Sequence, residues 1–181
     1  MPTVRPATPD DADAIADVHI RVWQWAYESL MPADYLARRA ENRTERVRRW
    51  REYLGESANS VFVVLDADNQ VAGFVNFGVY REGQDDSRPV DGVGEVIAIN
   101  VIQEVAGTGA GLALMDAAVG RLRGRGLSPI RLWVLEDNAR ARRFYERYGF
   151  VLDGERSTIT AGTAELAEVR YTLATDGQPD Q

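Results

Sequence analysis

Apolar residues recur at helical spacing through the first third of the chain and switch to strand spacing from residue 61 onward. TVRPA (3–7) can start a strand, and Thr8-Pro9-Asp10-Asp11 then reads as a helix start, with Thr as N-cap, Pro at the first position and acids in the first turn. Ala12, Ile15, Ala16, Val22, Trp23 and Ala26 follow helical spacing to Tyr27. After a break at Leu30-Met31-Pro32, the segment 33–54 predicts one further helix with Val47, Trp50 and Leu54 on a common face. VFVVLDA (61–67), the turn DNQ and VAGFVNFGVY (71–80) predict a hairpin. REGQDDSRPVDG (81–92) has loop composition, and GEVIAINVI (94–102) is a β-branched run leading into a glycine-rich segment and a helix over 110–124. PIRLWVLE (129–136) predicts a buried strand, and NARARRFYERYG a helix with Asn138 as N-cap and Gly149 as its stop. FVLDG and ELAEVRYTL predict two closing strands around a Gly-containing loop. The order β-α-α-β-β-β-α-β-α-β-β is mixed α/β with at least one parallel crossover, between 94–102 and 129–136. We expect one domain over 1–173 and a flexible tail over 174–181.

Composition removes several chemistries. The 181 residues include no cysteine and one histidine, His19, so a thiolate nucleophile and a Cys- or multi-His metal site are excluded; no metal is expected. All 21 basic residues are arginine, which excludes the lysine of a phosphate-binding P-loop. Acid–base work falls to Glu, Asp, Tyr, a substrate amine or water. With a net charge of −7, nucleic acid and anionic membranes are not expected partners, whereas a cationic small molecule or peptide is tolerated. The N-terminus has neither the basic flank nor the apolar centre of a signal peptide, and no apolar run approaches a membrane span, so a cytoplasmic protein is expected.

EVAGTGAGLALMDAAVGRL (104–122) places Gly107, Gly109 and Gly111 at the mouth of a segment otherwise rich in helix formers. Each glycine inside a helix costs about 1 kcal/mol relative to Ala. Glycines here fit an anion drawn close to free N–H groups at a helix N-terminus, or an ordinary Gly-rich turn. The P-loop pattern is missing, and the dinucleotide pattern GxGxxG is only partly present and sits too late in the element order.

EVIAINVIQEVAGTGAGLALMDAAVGRL followed by LWVLEDNARARRFYERYGF resembles the GNAT superfamily of N-acetyltransferases. The first run is similar to the family's pyrophosphate loop, Q/R-x-x-G-x-G/A, and the second to N-x-x-A-x-x-F/L-Y-x-x-x-G-F. RPATPDDADAI and VAGFVNF are similar to its weaker N-terminal motifs, so the resemblance spans about residues 3–173. It implies a mixed, mostly antiparallel sheet flanked by helices, and acetyl-CoA as donor to an amine-bearing small molecule or peptide. It also implies homodimers, which are frequent in the family. Backbone N–H groups around Ala106, Gly107, Thr108, Gly109, Ala110, Gly111 and Leu112 would hold the pyrophosphate, while Ile99, Asn100 and Val101 would run beside the pantetheine arm. Two departures stand out: Ala106 replaces the usual Gln or Arg of the loop, and Gln103 stands where many members have proline.

By the same resemblance Tyr145 is the general acid that protonates the departing sulfur, and Asn138 contacts the thioester region; packing and N-capping are their structural alternatives. For the base we expect Glu95. Strand parity groups it with Ile97, Ile99 and Val101, and its alternatives are an ion pair with Arg131 and loss of the amine proton to water. Without cysteine, direct transfer in a ternary complex is expected. Trp23, Trp25 and Tyr27 are candidates for the acceptor cleft, and Asp85 and Asp86 for attracting a cationic acceptor. A non-catalytic acyl-CoA-binding domain of the same fold is the alternative. A tRNA-modifying toxin on this fold is disfavoured by the acidic balance.

Overall fold

The computed structural model describes residues 2–56, 60–82 and 88–175. Most of the expected tail and the Asp85–Asp86 pair lie outside those residues. Twelve elements run in the order β1 (Thr3–Pro6), α1 (Ala12–Ala26), α2 (Ala33–Glu41), α3 (Arg43–Glu56), β2 (Val61–Leu65), β3 (Val71–Glu82), β4 (Arg88–Val101), α4 (Ala110–Gly124), β5 (Ile130–Leu135), α5 (Ala139–Tyr148), β6 (Val151–Ala161) and β7 (Ala164–Leu173). The strands form one seven-stranded sheet in the order β1-β2-β3-β4-β5-β7-β6. Every neighbouring pair is antiparallel except β4–β5. Among the described residues no helix is long and apolar enough to cross a membrane.

Helices cover both faces of the sheet, which is why β2 is a continuous apolar run rather than an alternating one. Phe62 and Val64 pack with Leu114, Met115 and Leu122 of α4, while Val61 and Val63 pack with Ile15, Val22 and Val47 of α1 and α3. A smaller cluster, Met31, Leu36, Leu135 and Ala161, seats the α1–α2 connection on the far half of the sheet.

Two expectations change. The single helix over 33–54 is two helices that part at Asn42 (φ −90°, ψ 33°), because their apolar residues serve different clusters, Leu36 the small one and Val47 and Leu54 the large one. The stretch 88–92, read as loop, is the start of β4, whose Arg88 and Pro89 pair with Glu82 and Arg81. It is exposed hairpin, so its polar composition carries no strand signal.

The sheet opens in the middle. β4 and β5 pair only at Gly94–Ile130 and Glu95–Arg131 and then part. The opening begins where β4 bulges: Phe77 pairs with Val96 and Asn76 with Ala98, leaving Ile97 without a partner on β3. A bulge bends its strand and increases its twist. The open edges of β4 and β5 become the two walls of a cleft.

Candidate active site

The cleft is a cavity of about 770 Å³ bounded by the splayed strands, the end of α1, the turn before α4 and one face of α5. Of the residues singled out from sequence, Ile99, Asn100, Val101, Ala106, Gly107, Gly109, Gly111, Leu112, Asn138 and Tyr145 all line it. Thr108 and Ala110 do not. The Thr108 hydroxyl donates to the Val105 carbonyl at 2.8 Å, and Ala110, the first residue of α4, is buried in the core. Trp23, Trp25 and Tyr27 also line the cavity.

The three glycines do different work. Gly107 (φ +83°) and Gly109 (φ +93°) hold left-handed backbone conformations that side chains rarely adopt, with open space where a Cβ would stand. Gly111 lies within α4, where a Cβ would meet the Phe144 ring at 3.7 Å. Together they turn the chain so that the start of α4 faces the cavity. Among the described residues, the N–H groups of Gly107, Gly109, Ala110, Gly111 and Leu112 find no backbone acceptor, since the first helical bond runs from Ala113 to Gly109 at 3.0 Å. Free donors and the positive end of a helix dipole suit an anion. The turn is open at Gly107 and Gly109, and Arg143 and Arg147, which flank Phe144 on α5, add positive charge to the same cavity.

Tyr145 is held by its surroundings. Its ring lies 6.1 Å from Phe150 and 6.4 Å from Tyr171 between centroids, and the residue is 8% exposed. Tyr171 is itself fixed, accepting from Arg142 Nε at 3.0 Å and donating to Glu146 at 2.6 Å. Burial raises the Tyr145 pKa well above the usual phenol range, and Tyr27 adds to the rise. Tyr145 therefore keeps its proton through neutral and mildly alkaline pH. Asn138 caps α5, its Oδ1 accepting from Ala141 N at 3.1 Å, so capping and cavity lining coexist in one side chain.

Glu95 is placed differently from its expected neighbours. The bulge at Ile97 reverses side-chain parity, so Glu95 shares its face with Ala98 and Asn100 and not with Ile99 and Val101. It stands at the closed vertex of the cleft, beside Arg131 in register, and is not among the cavity-lining residues. Arg131 lays its guanidinium over the Tyr80 ring at 4.8 Å.

Sequence reasoning missed Glu168, Trp133, Met31 and Ile159, all of which line the cavity. Glu168 belongs to β7, opposite Leu135 of β5 and Ser157 of β6. Its alternation with buried Val169 and Tyr171 was readable; that its face looks into a cleft was not, because that depends on where α1 ends.

The sequence pattern of the acetyltransferase (GNAT) family matches residues 20–150. Over 99% of its length the chain is 33% identical to the uncharacterized N-acetyltransferase YuaI of Bacillus subtilis (strain 168), covering 94% of that protein. A shorter stretch, 47% of this chain, is 41% identical to 26% of the mycothiol acetyltransferase of Stackebrandtia nassauensis. Among solved structures the fold is similar to PaiA N-acetyltransferase from Thermoplasma acidophilum in complex with coenzyme A. That comparison has a TM-score of 0.69 at 18% identity, covering 93% of this chain and 98% of that one.

Proposed function

Because the chain belongs to the GNAT family of acetyltransferases, whose co-substrate is acetyl-CoA, we propose that it transfers the acetyl group directly to a primary amine of a small molecule or peptide within a ternary complex. The observation that carries this reading is one cavity that joins an anion-binding helix start, an open strand edge and a buried tyrosine. The diphosphate sits on the turn at Gly107–Leu112, with Ala106 contributing backbone only. The pantetheine arm runs along Ile99–Val101, whose second edge has no strand beside it.

The neutral amine nitrogen attacks the thioester carbon, the carbon–sulfur bond breaks, and the sulfur takes a proton from Tyr145. Burial that raises the Tyr145 pKa also raises the proton affinity of a thiolate formed beside it, so the transfer stays matched. Asn138 offers its amide N–H groups near the reacting carbonyl, its oxygen being engaged by the cap. Glu95, set back at the vertex, takes the amine proton through water. The absence of cysteine favours direct transfer over an acyl-cysteine intermediate.

Initial rates of thiol release, with acetyl-CoA and amine both varied, test this. Intersecting double-reciprocal lines are expected. Parallel lines, the signature of an acyl-enzyme, overturn direct transfer.

A further inference from the structure

The charges lining the cavity are segregated. Its arginines, Arg140, Arg143 and Arg147, all stand on α5, where Phe144 packs toward the glycine turn. Its one acid among the described lining residues is Glu168, on β7. On the face of the sheet that carries Glu168 the lining is aromatic and apolar: Trp133 and Ile159 stand two positions along the flanking strands, and Trp23, Tyr27 and Met31 belong with Ile159 to the small cluster that includes Leu135. Trp23 and Tyr27 lie 5.1 Å apart between ring centroids, tilted by 38°, so they present neighbouring faces. Aromatic faces beside a carboxylate form a receptor for a cation.

The position of this receptor relative to the chemistry follows from the alternation of β7. Tyr145 packs with Val169 and Tyr171 on one face of β7, and alternation turns Glu168 to the opposite face, yet both residues line the one cavity. The amine that attacks must be neutral, and a carboxylate paired with its ammonium would hold the proton in place. A carboxylate on the face of β7 turned away from the Tyr145 ring suits a charge that is kept throughout the reaction.

We propose that Glu168 docks a second, retained positive charge on the acceptor, so that the substrate class is an amine bearing another cationic group. An alkyl diamine and the amino group of a basic peptide share that chemistry. The proposal rests on the acetyltransferase reading above, and the test separates the two.

Thiol release from acetyl-CoA is followed with the whole chain against 1,4-diaminobutane, n-butylamine, 4-aminobutanoate and a peptide with and without an arginine near its free amine. Binding of acetyl-CoA is checked separately by thermal shift. For wild type, kcat/KM for the diamine or the arginine-bearing peptide exceeds that of its uncharged match by about tenfold or more, the size expected of one charge-assisted hydrogen bond. The carboxylate-bearing amine is the poorest acceptor. Which dicationic acceptor is preferred identifies the source. In Glu168→Gln the preference collapses toward unity, mainly through KM, while acetyl-CoA still shifts the melting temperature and so reports an intact fold. Equal use of charged and uncharged acceptors by wild type overturns the proposal, and the wild-type panel decides this even where the variant does not fold. A preference that survives in Glu168→Gln also overturns it, as does bound acetyl-CoA with no turnover of any dicationic amine. If acetyl-CoA does not bind, the acetyltransferase reading falls and this proposal with it.

Discussion

At the scale of single residues, the site depends on side chains held away from water. Tyr145 is buried among rings, and in the mechanism proposed above its hydroxyl is the group whose removal separates chemistry from binding. Tyr145→Phe keeps the ring contacts, so acetyl-CoA should shift the melting temperature as in wild type while kcat falls by about a hundredfold, the lower range for a lost general acid. Equal kcat in the variant would remove Tyr145 from the mechanism. The sequence motif around Tyr145 made this residue legible. The motif could not have placed Glu95, because one extra residue in β4 turns its side chain to the opposite face. Nor could it have found Glu168, whose strand alternates as any half-buried strand does.

Among elements, the N-terminal segment shows how a short motif fixes the wall of the cleft. Asp11 caps the turn before α1 by accepting from Thr8 N at 2.8 Å and grips Arg5 of β1 through two contacts of 2.7 Å. The Arg5 hydrogen bonds outweigh burial and lower the Asp11 pKa below its ordinary value of 3.8. A depressed carboxyl pKa stabilises the fold above the unfolded-state value and loses that contribution as pH falls through the folded one. Asp11→Asn should therefore melt lower than wild type at pH 7. The gap should narrow as pH drops below about 4, where wild type loses the same contribution. Melting curves across that range check it, and a constant gap would mean that the carboxylate charge is immaterial. The Thr-Pro-Asp-Asp start was readable because capping chemistry is local. The break at Asn42 was not, because Leu36 and Val47 diverge only once the small cluster under α2 exists.

For the molecule as a whole, net charge and site charge have opposite signs. The chain carries −7, yet the cavity gathers three arginines and the start of α4. Cations in a low-dielectric cleft act locally, whereas the surrounding acids act through solvent and are screened beyond about 8 Å at physiological salt. A polyanionic donor must cross a repulsive periphery to reach an attractive floor. In the reading proposed above, backbone donors and these arginines hold it, with no side-chain contribution at Ala106. Acetyl-CoA at about 100 times its Kd should stabilise the fold by about 2.7 kcal/mol, several degrees for a chain of this size. ATP and NADH at the same concentration should give little. Raising salt from about 50 to about 500 mM should shrink the acetyl-CoA shift if arginine–phosphate attraction dominates, and enlarge it if peripheral repulsion does. A selective shift that shrinks with salt places the donor on α5 and the glycine turn. The absence of any shift at millimolar acetyl-CoA would mean that backbone donors cannot replace the side chain missing at Ala106, and the donor site would have to be abandoned.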